Sequence, residues 1–220
     1  MPNPSRKLYT FEQYFLKHST QGARLHKWLE HTWLPAYGAK SALILDAVFA
    51  DHMPQIAVVA EWDSMEQANA LRPSVEELED HAEPPYEHFS RSLLEATDYA
   101  PPFQWEAAAA RFYEFRIYHS PTWRQHKALH ERFAGPEIPI FHRCGINPVL
   151  YTSALFGPWM PNLIYFTPFE SLGAREAAWA KFNGDPEWIR VRAESIEQHG
   201  QSNAFMTVAI YKAAAYSPLR

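Results

Sequence analysis

Cysteine is almost missing from this sequence: its 220 residues hold one, Cys144. A single thiol excludes an intramolecular disulfide framework and a cysteine-rich zinc site. Charge is also sparse. Asp, Glu, Lys and Arg make up 20% of the chain and the formal net charge is -5. That balance offers no basic surface for a polyphosphate, so nucleic acid is not an expected partner. No apolar run reaches the ~18 residues of a membrane span. The segment Met1–Lys7 is polar and lacks the apolar stretch of a signal peptide. The chain therefore reads as cytoplasmic, or as exported with its signal already removed. No glycine-rich phosphate loop, nucleophile elbow or paired-carboxylate spacing is present. What is abundant is apolar and aromatic: 47% hydrophobic and 15% Phe, Trp and Tyr. A disordered polymer would be poor in both, and the length suits one large domain or two small ones.

The sequence repeats itself. Tyr9, Phe11 and Tyr14 recur as Tyr113, Phe115 and Tyr118, and Leu25-His26 as Leu129-His130. Pro35 recurs as Pro139, Met53-Pro54 as Met160-Pro161, and Tyr99-Ala-Pro101 as Tyr216-Ser-Pro218. The order is kept with one short insertion, which indicates two homologous halves. We place them at residues 1–102 and 103–220. The joint is Pro101-Pro-Phe-Gln-Trp105, where proline disfavours helix.

Both halves carry the same element pattern. Alternation along Phe112–Tyr118 predicts a strand. Ser120-Pro121 offers a helix N-cap followed by proline. Leu25, Trp28, Leu29, Thr32 and Trp33 form one stripe of an amphipathic helix, and Gly38 and Gly145 are stops. Strands are expected at Ala42–Phe49, Ile56–Trp62, Ser90–Thr97, Asn147–Leu155, Asn162–Phe169 and Ala204–Lys212. Ser64 with Gln67, and Ser74 with Glu77, read as capping boxes. The acidic run Glu76–Asp80 suits a solvated first helical turn, and Asp185-Pro-Glu187 starts a late helix. The fold class is α+β: two tandem ferredoxin-like βαββαβ repeats. Each leaves one sheet face bare, and the two bare faces cover each other. The product is a dimeric α/β-barrel-type pseudo-dimer within one chain.

Several motifs are familiar. Glu114-Phe-Arg-Ile-Tyr118 resembles the pattern Glu-Leu-Arg-x-Tyr of the NIPSNAP family. Ile140-Phe-His-Arg-Cys-Gly-Ile-Asn-Pro-Val149, Leu155-Phe-Gly157 with Met160-Pro-Asn-Leu-Ile164, and Ala174-Arg-Glu-Ala-Ala-Trp179 with Asp185-Pro-Glu-Trp188 add to the likeness. The sequence resembles the bacterial two-copy type. The resemblance implies a dimeric α/β-barrel fold and leaves the activity open; distant barrel relatives include cofactor-free oxygenases and haem enzymes.

Four groups of residues are candidates for chemistry. Glu114, Arg116 and Tyr118 share one strand face. With Tyr113, Phe115 and Ile117 turned to the helices, that triplet faces the barrel interior. There it either grips a polar or anionic ligand or forms a structural ion pair. The first copy has Thr10, Glu12 and Tyr14, so any pocket is asymmetric. His142-Arg143-Cys144-Gly145 is either a ligand-gripping His-Arg pair or a helix end whose basic residues suit the dipole. His126 and His130, four apart, could share a metal. Without the zincin glutamate they read better as a solvated helix face, and no metal is expected. Trp159, in a Gly-Pro-rich turn, suits either contact with a ligand or partner chain, or local packing.

These readings predict a non-catalytic module that binds a small molecule or another chain, with no cofactor and a tendency to oligomerise. The alternative is a cofactor-independent oxygenase or isomerase that uses the barrel interior. The ligand-binding candidates are Glu114, Arg116, Tyr118, His142, Arg143 and Trp159.

Overall fold

Eight antiparallel strands close into a barrel that helices cover on the outside. The computed structural model describes residues 7–18, 20–38, 41–70, 83–104 and 112–220. The expected Ser74–Glu77 capping box and the acidic run Glu76–Asp80 lie outside them, as does Trp105 of the joint. The first half supplies β1 (Leu8–Phe15), β2 (Ala42–Phe49), β3 (Gln55–Trp62) and β4 (His88–Ala96). The second supplies β5 (Phe112–His119), β6 (Leu150–Phe156), β7 (Asn162–Phe169) and β8 (Phe205–Ala213). Around the barrel the order is β1-β3-β2-β8-β5-β7-β6-β4. Within each half this is the split order of a ferredoxin-like sheet. Two seams, β2 with β8 and β4 with β6, join the halves and leave no open edge.

The helices follow their sequence signals, with three departures. After β1 come α1 (Gln21–Trp28), a π-helical turn over Leu29–Trp33 and α2 (Leu34–Tyr37). The second half repeats this with α4 (Trp123–Arg132), a π turn over Phe133–Glu137 and α5 (Ile138–Cys144). The wider turn shifts the stripe, so Thr32 is exposed while Trp33 stays buried. The cap of α4 is Thr122, not Ser120; its Oγ1 accepts from the Gln125 amide at 3.4 Å. Near α3 (Met65–Ala70), Ser64 caps the Gln67 amide at 3.2 Å, but the Gln67 side chain returns to the Asp63 amide. Gly38 and Gly145 end their helices in the left-handed region, at φ 82° and 86°. The layer is completed by α6 (Leu172–Asn183) and α7 (Pro186–His199). Among the described residues no helix is long and apolar enough to cross a membrane.

Three apolar clusters hold the molecule. The first fills the barrel, where Phe11 and Phe115 meet at 4.6 Å and Phe115 touches Phe166 at 4.8 Å. The other two lie between the sheet and the helices of each half. The strand faces are therefore the reverse of the sequence expectation. Tyr113 and Phe115 point into the barrel, and Tyr118 packs with the helices. The physical reason is pairing. The barrel interior is enclosed by apolar side chains of both halves, whereas α6 brings cations to the outer face, where a buried carboxylate can be balanced.

Candidate anion-binding cavity

Glu114 is 1% exposed, yet four hydrogen bonds satisfy it. Arg116 Nε donates to Oε1 at 2.7 Å. Arg175 of α6 donates through Nη2 to Oε1 at 2.9 Å and through Nε to Oε2 at 3.1 Å. The Trp179 indole donates to Oε2 at 2.6 Å. Strand alternation puts Glu114, Arg116 and Tyr118 in one row, and one turn of α6 puts Arg175 and Trp179 above it. The Arg116 guanidinium lies 3.7 Å from the Trp179 ring centroid. Burial works against its charge, but the paired Glu114 carboxylate opposes burial and Arg116 stays protonated. Tyr165, pushed well above the usual phenol range by burial, keeps its proton and donates to Tyr118 Oη at 2.9 Å.

A second buried ion pair stands nearby. Arg132 Nε donates to Glu137 Oε2 at 2.7 Å, and Arg132 Nη1 donates to Ser202 Oγ at 3.2 Å. Burial raises the Glu137 carboxyl, and Arg132 opposes that rise. Arg132 lies 5.3 Å from the ring centroid of Trp188 on α7. Both ion pairs border a half-open cavity of about 950 Å³. Arg116, Arg132, Arg175 and Arg192 line it, together with Trp179 and Trp188. The four guanidinium groups are balanced by four carboxylates: Glu137 and Glu197 in the wall, Glu114 behind it, and Glu176, which pairs with Arg175 outside the cavity. The Nη2 groups of Arg116 and Arg132 have no protein partner among the described residues. The arrangement can take an anion on these donors and an apolar body against the indoles.

The matching place in the first half is smaller and differently charged. Glu12 pairs with Arg91 at 3.0 Å and accepts from Tyr14 Oη at 2.9 Å. The Trp62 indole donates to Thr10 Oγ1 at 2.9 Å, and the cavity there is about 280 Å³. The expected asymmetry is present.

Of the other candidates, none joins this cavity. His142 is exposed at the end of α5. Arg143 pairs with Asp185 at 2.6 Å and Glu187 at 2.7 Å, tying α5 to the start of α7. Cys144 is buried, and burial raises its thiol, so it is not a ready thiolate. Trp159 is 71% exposed and packs edge-on against Phe205 at 5.9 Å. His126, expected on a solvated face, is 7% exposed, because it turns under the helix towards β6. Among the described residues no group of three or more His, Cys, Asp or Glu could hold a metal ion. Sequence reasoning missed Arg132, Arg175 and Glu137. Arg175 could have been found, since it stands four residues before Trp179 on the helix that covers β5.

The NIPSNAP family model matches residues 113–218. No curated protein matches the sequence at a significant level. Solved structures of similar shape include an anthrone oxidase-like protein, 14% identical with a TM-score of 0.63, over 94% of this chain and 91% of that one. A monooxygenase-type protein from Lactobacillus acidophilus NCFM is 10% identical with a TM-score of 0.55, over 94% and 93%. Chlorite dismutase from Candidatus Nitrospira defluvii in complex with imidazole is 8% identical with a TM-score of 0.58, over 98% and 93%. At these identities the likeness concerns the fold.

Proposed function

We propose that the protein, whose residues 113–218 match the NIPSNAP family model, is a binding module for a small organic anion with an aromatic or aliphatic body. One observation carries the reading. Arg116 and Arg132, each fixed by a buried carboxylate, line one cavity and retain unspent guanidinium donors beside two indole rings. Fixed charge with free donors is what carboxylate or phosphate capture requires. A volume of about 950 Å³ is at the upper end of the range for small-molecule sites. The barrel interior, by contrast, is filled mainly by an apolar core, and the Glu114, Arg116, Tyr118 triplet lies outside it.

The test compares aromatic carboxylates with their neutral amide isosteres by calorimetry on the intact protein. The acids should bind roughly 10–100-fold more tightly, the value of one charge-assisted hydrogen bond. Equal binding of acid and amide, or binding of neither, sinks the proposal. Native mass spectrometry of protein purified from its source would show directly any ligand retained.

A further inference from the structure

A second cavity, of about 440 Å³, is lined by His126 and His130 of α4, Ser153 of β6 and Tyr99. It shares no residue with the arginine cavity. His130 Nδ1 lies 2.7 Å from Tyr99 Oη. Its Nε2 lies 3.0 Å from Ser153 Oγ and 3.1 Å from His126 Nε2. The proton positions follow from burial. His126 Nδ1 is buried with no hydrogen-bond partner. An orphaned acceptor is tolerated better than an orphaned N–H, which places the His126 proton on Nε2. Burial lowers the His126 pKa to about 4, so the ring is neutral. His126 Nε2–H then donates to His130 Nε2, which must be bare. The proton of His130 is therefore on Nδ1, donated to Tyr99 Oη. The single lone pair of the bare Nε2 is shared between the His126 N–H and the Ser153 hydroxyl.

The first half has the opposite arrangement at its equivalent ring. His26 Nδ1 lies 2.7 Å from Tyr216 Oη, and its Nε2 lies 2.8 Å from Asp46 Oδ1. A carboxylate only accepts, so Nε2 of His26 carries a proton and has no lone pair to offer. Gly22 stands where the second half has His126. Two substitutions, Asp46 to Ser153 and Gly22 to His126 across the repeat, separate a closed donor from a base with a hydroxyl resting on it.

We propose that Ser153, His130 and Tyr99 form a nucleophile, general base and positioning residue that act on small esters with an apolar acyl group. This site is independent of the anion cavity. Trp123 and Ala134 supply the apolar wall. Glu95, Asp98 and Glu131 outnumber Lys127 at the rim, which disfavours a charged carboxylate substrate. In the first step Ser153 Oγ forms a bond to the carbonyl carbon and its proton passes to His130 Nε2. His130 then no longer accepts from His126, and the freed His126 Nε2–H can donate to the developing oxyanion. The C–O bond to the alcohol breaks, and the alcohol leaves with the proton from His130. Water then adds, giving its proton to His130, and the Oγ–C bond breaks as Ser153 recovers a proton. The sum is ester plus water giving acid plus alcohol.

The experiment treats the full chain with a fluorophosphonate and reads intact mass and the modified peptide. Ser153 should carry the phosphonyl group with loss of fluoride. Ser153→Ala should carry none. His130→Gln, checked for folding by its melting temperature, should label about 100-fold more slowly or less. Tyr99→Phe should shift the 15N resonance of His130 Nδ1 and, at an unchanged melting temperature, slow labelling, which a purely structural role would not do. A wild-type protein with no adduct at Ser153 overturns the proposal, whatever the variants do. So does a folded His130→Gln that labels at the wild-type rate.

Discussion

Glu114 has more cationic partners than its single charge requires. Arg116 and Arg175 both bind it, and the Trp179 indole adds a third donor. This asymmetry makes the two ends of the ion pair unequal. Arg116→Met leaves Glu114 still paired with Arg175, so the loss should be about 1.5–3 kcal/mol, that of a hydrogen bond to a charged group. Glu114→Met leaves two guanidinium groups and an indole without their acceptor, and should cost about 3–5 kcal/mol. Urea denaturation of the two variants measures the difference. Equal losses would mean that Arg175 does not share the carboxylate. The triplet Glu114, Arg116, Tyr118 was legible as a row, because alternation is a local property of a strand. Which side it faced was not. In a closed barrel both faces of a strand are buried, so polarity alone does not mark the interior. The deciding partner, Arg175, is 61 residues away, beyond any local pattern.

Asp185 illustrates the same division between local and distant information at the level of an element. Its capping role was legible from Asp-Pro-Glu, and Oδ1 accepts from the Glu187 and Trp188 amides at 2.9 and 3.0 Å. Its pairing with Arg143, 42 residues earlier, was not. The π turns after α1 and α4 were also missed, because they add a residue to a turn without any single residue type that signals it. Arg143 and the helix amides hold the Asp185 carboxyl below its ordinary value near 3.8. The folded state thus binds the proton less readily than the unfolded chain. The contribution is present above the unfolded pKa and is lost as pH falls through the folded one. Asp185→Asn keeps an acceptor at the cap but loses the charge. Its melting temperature should lie below wild type at neutral pH, and the gap should close as pH falls below about 4. A gap that stays constant across that range would show that the charge contributes nothing.

At the scale of the molecule, closure depends on two seams, β2 with β8 and β4 with β6. Each joins one half to the other, so each half alone has two unpaired edges and a bare apolar face. The proposed division at 102/103 can be tested on this basis. Residues 103–220 alone would expose Phe115, Phe166 and Tyr211, which are buried in the intact barrel. Exposed edges and a contiguous apolar face drive association. The repeat supplies a specific partner, because β8 can pair with β6 of a second copy much as β8 pairs with β2, and β4 with β6, in the intact barrel. The isolated half should therefore sediment as a dimer, or aggregate where the asymmetric residues fit poorly. Phe115→Ala in the full chain provides the control. It should destabilise by about 3–5 kcal/mol, the usual loss for a buried aromatic, while the chain stays closed on itself. An isolated half that is folded, monomeric and dispersed in sedimentation would mean that the sheet face is covered from within, and that the two halves are not the interdependent units the repeat suggests.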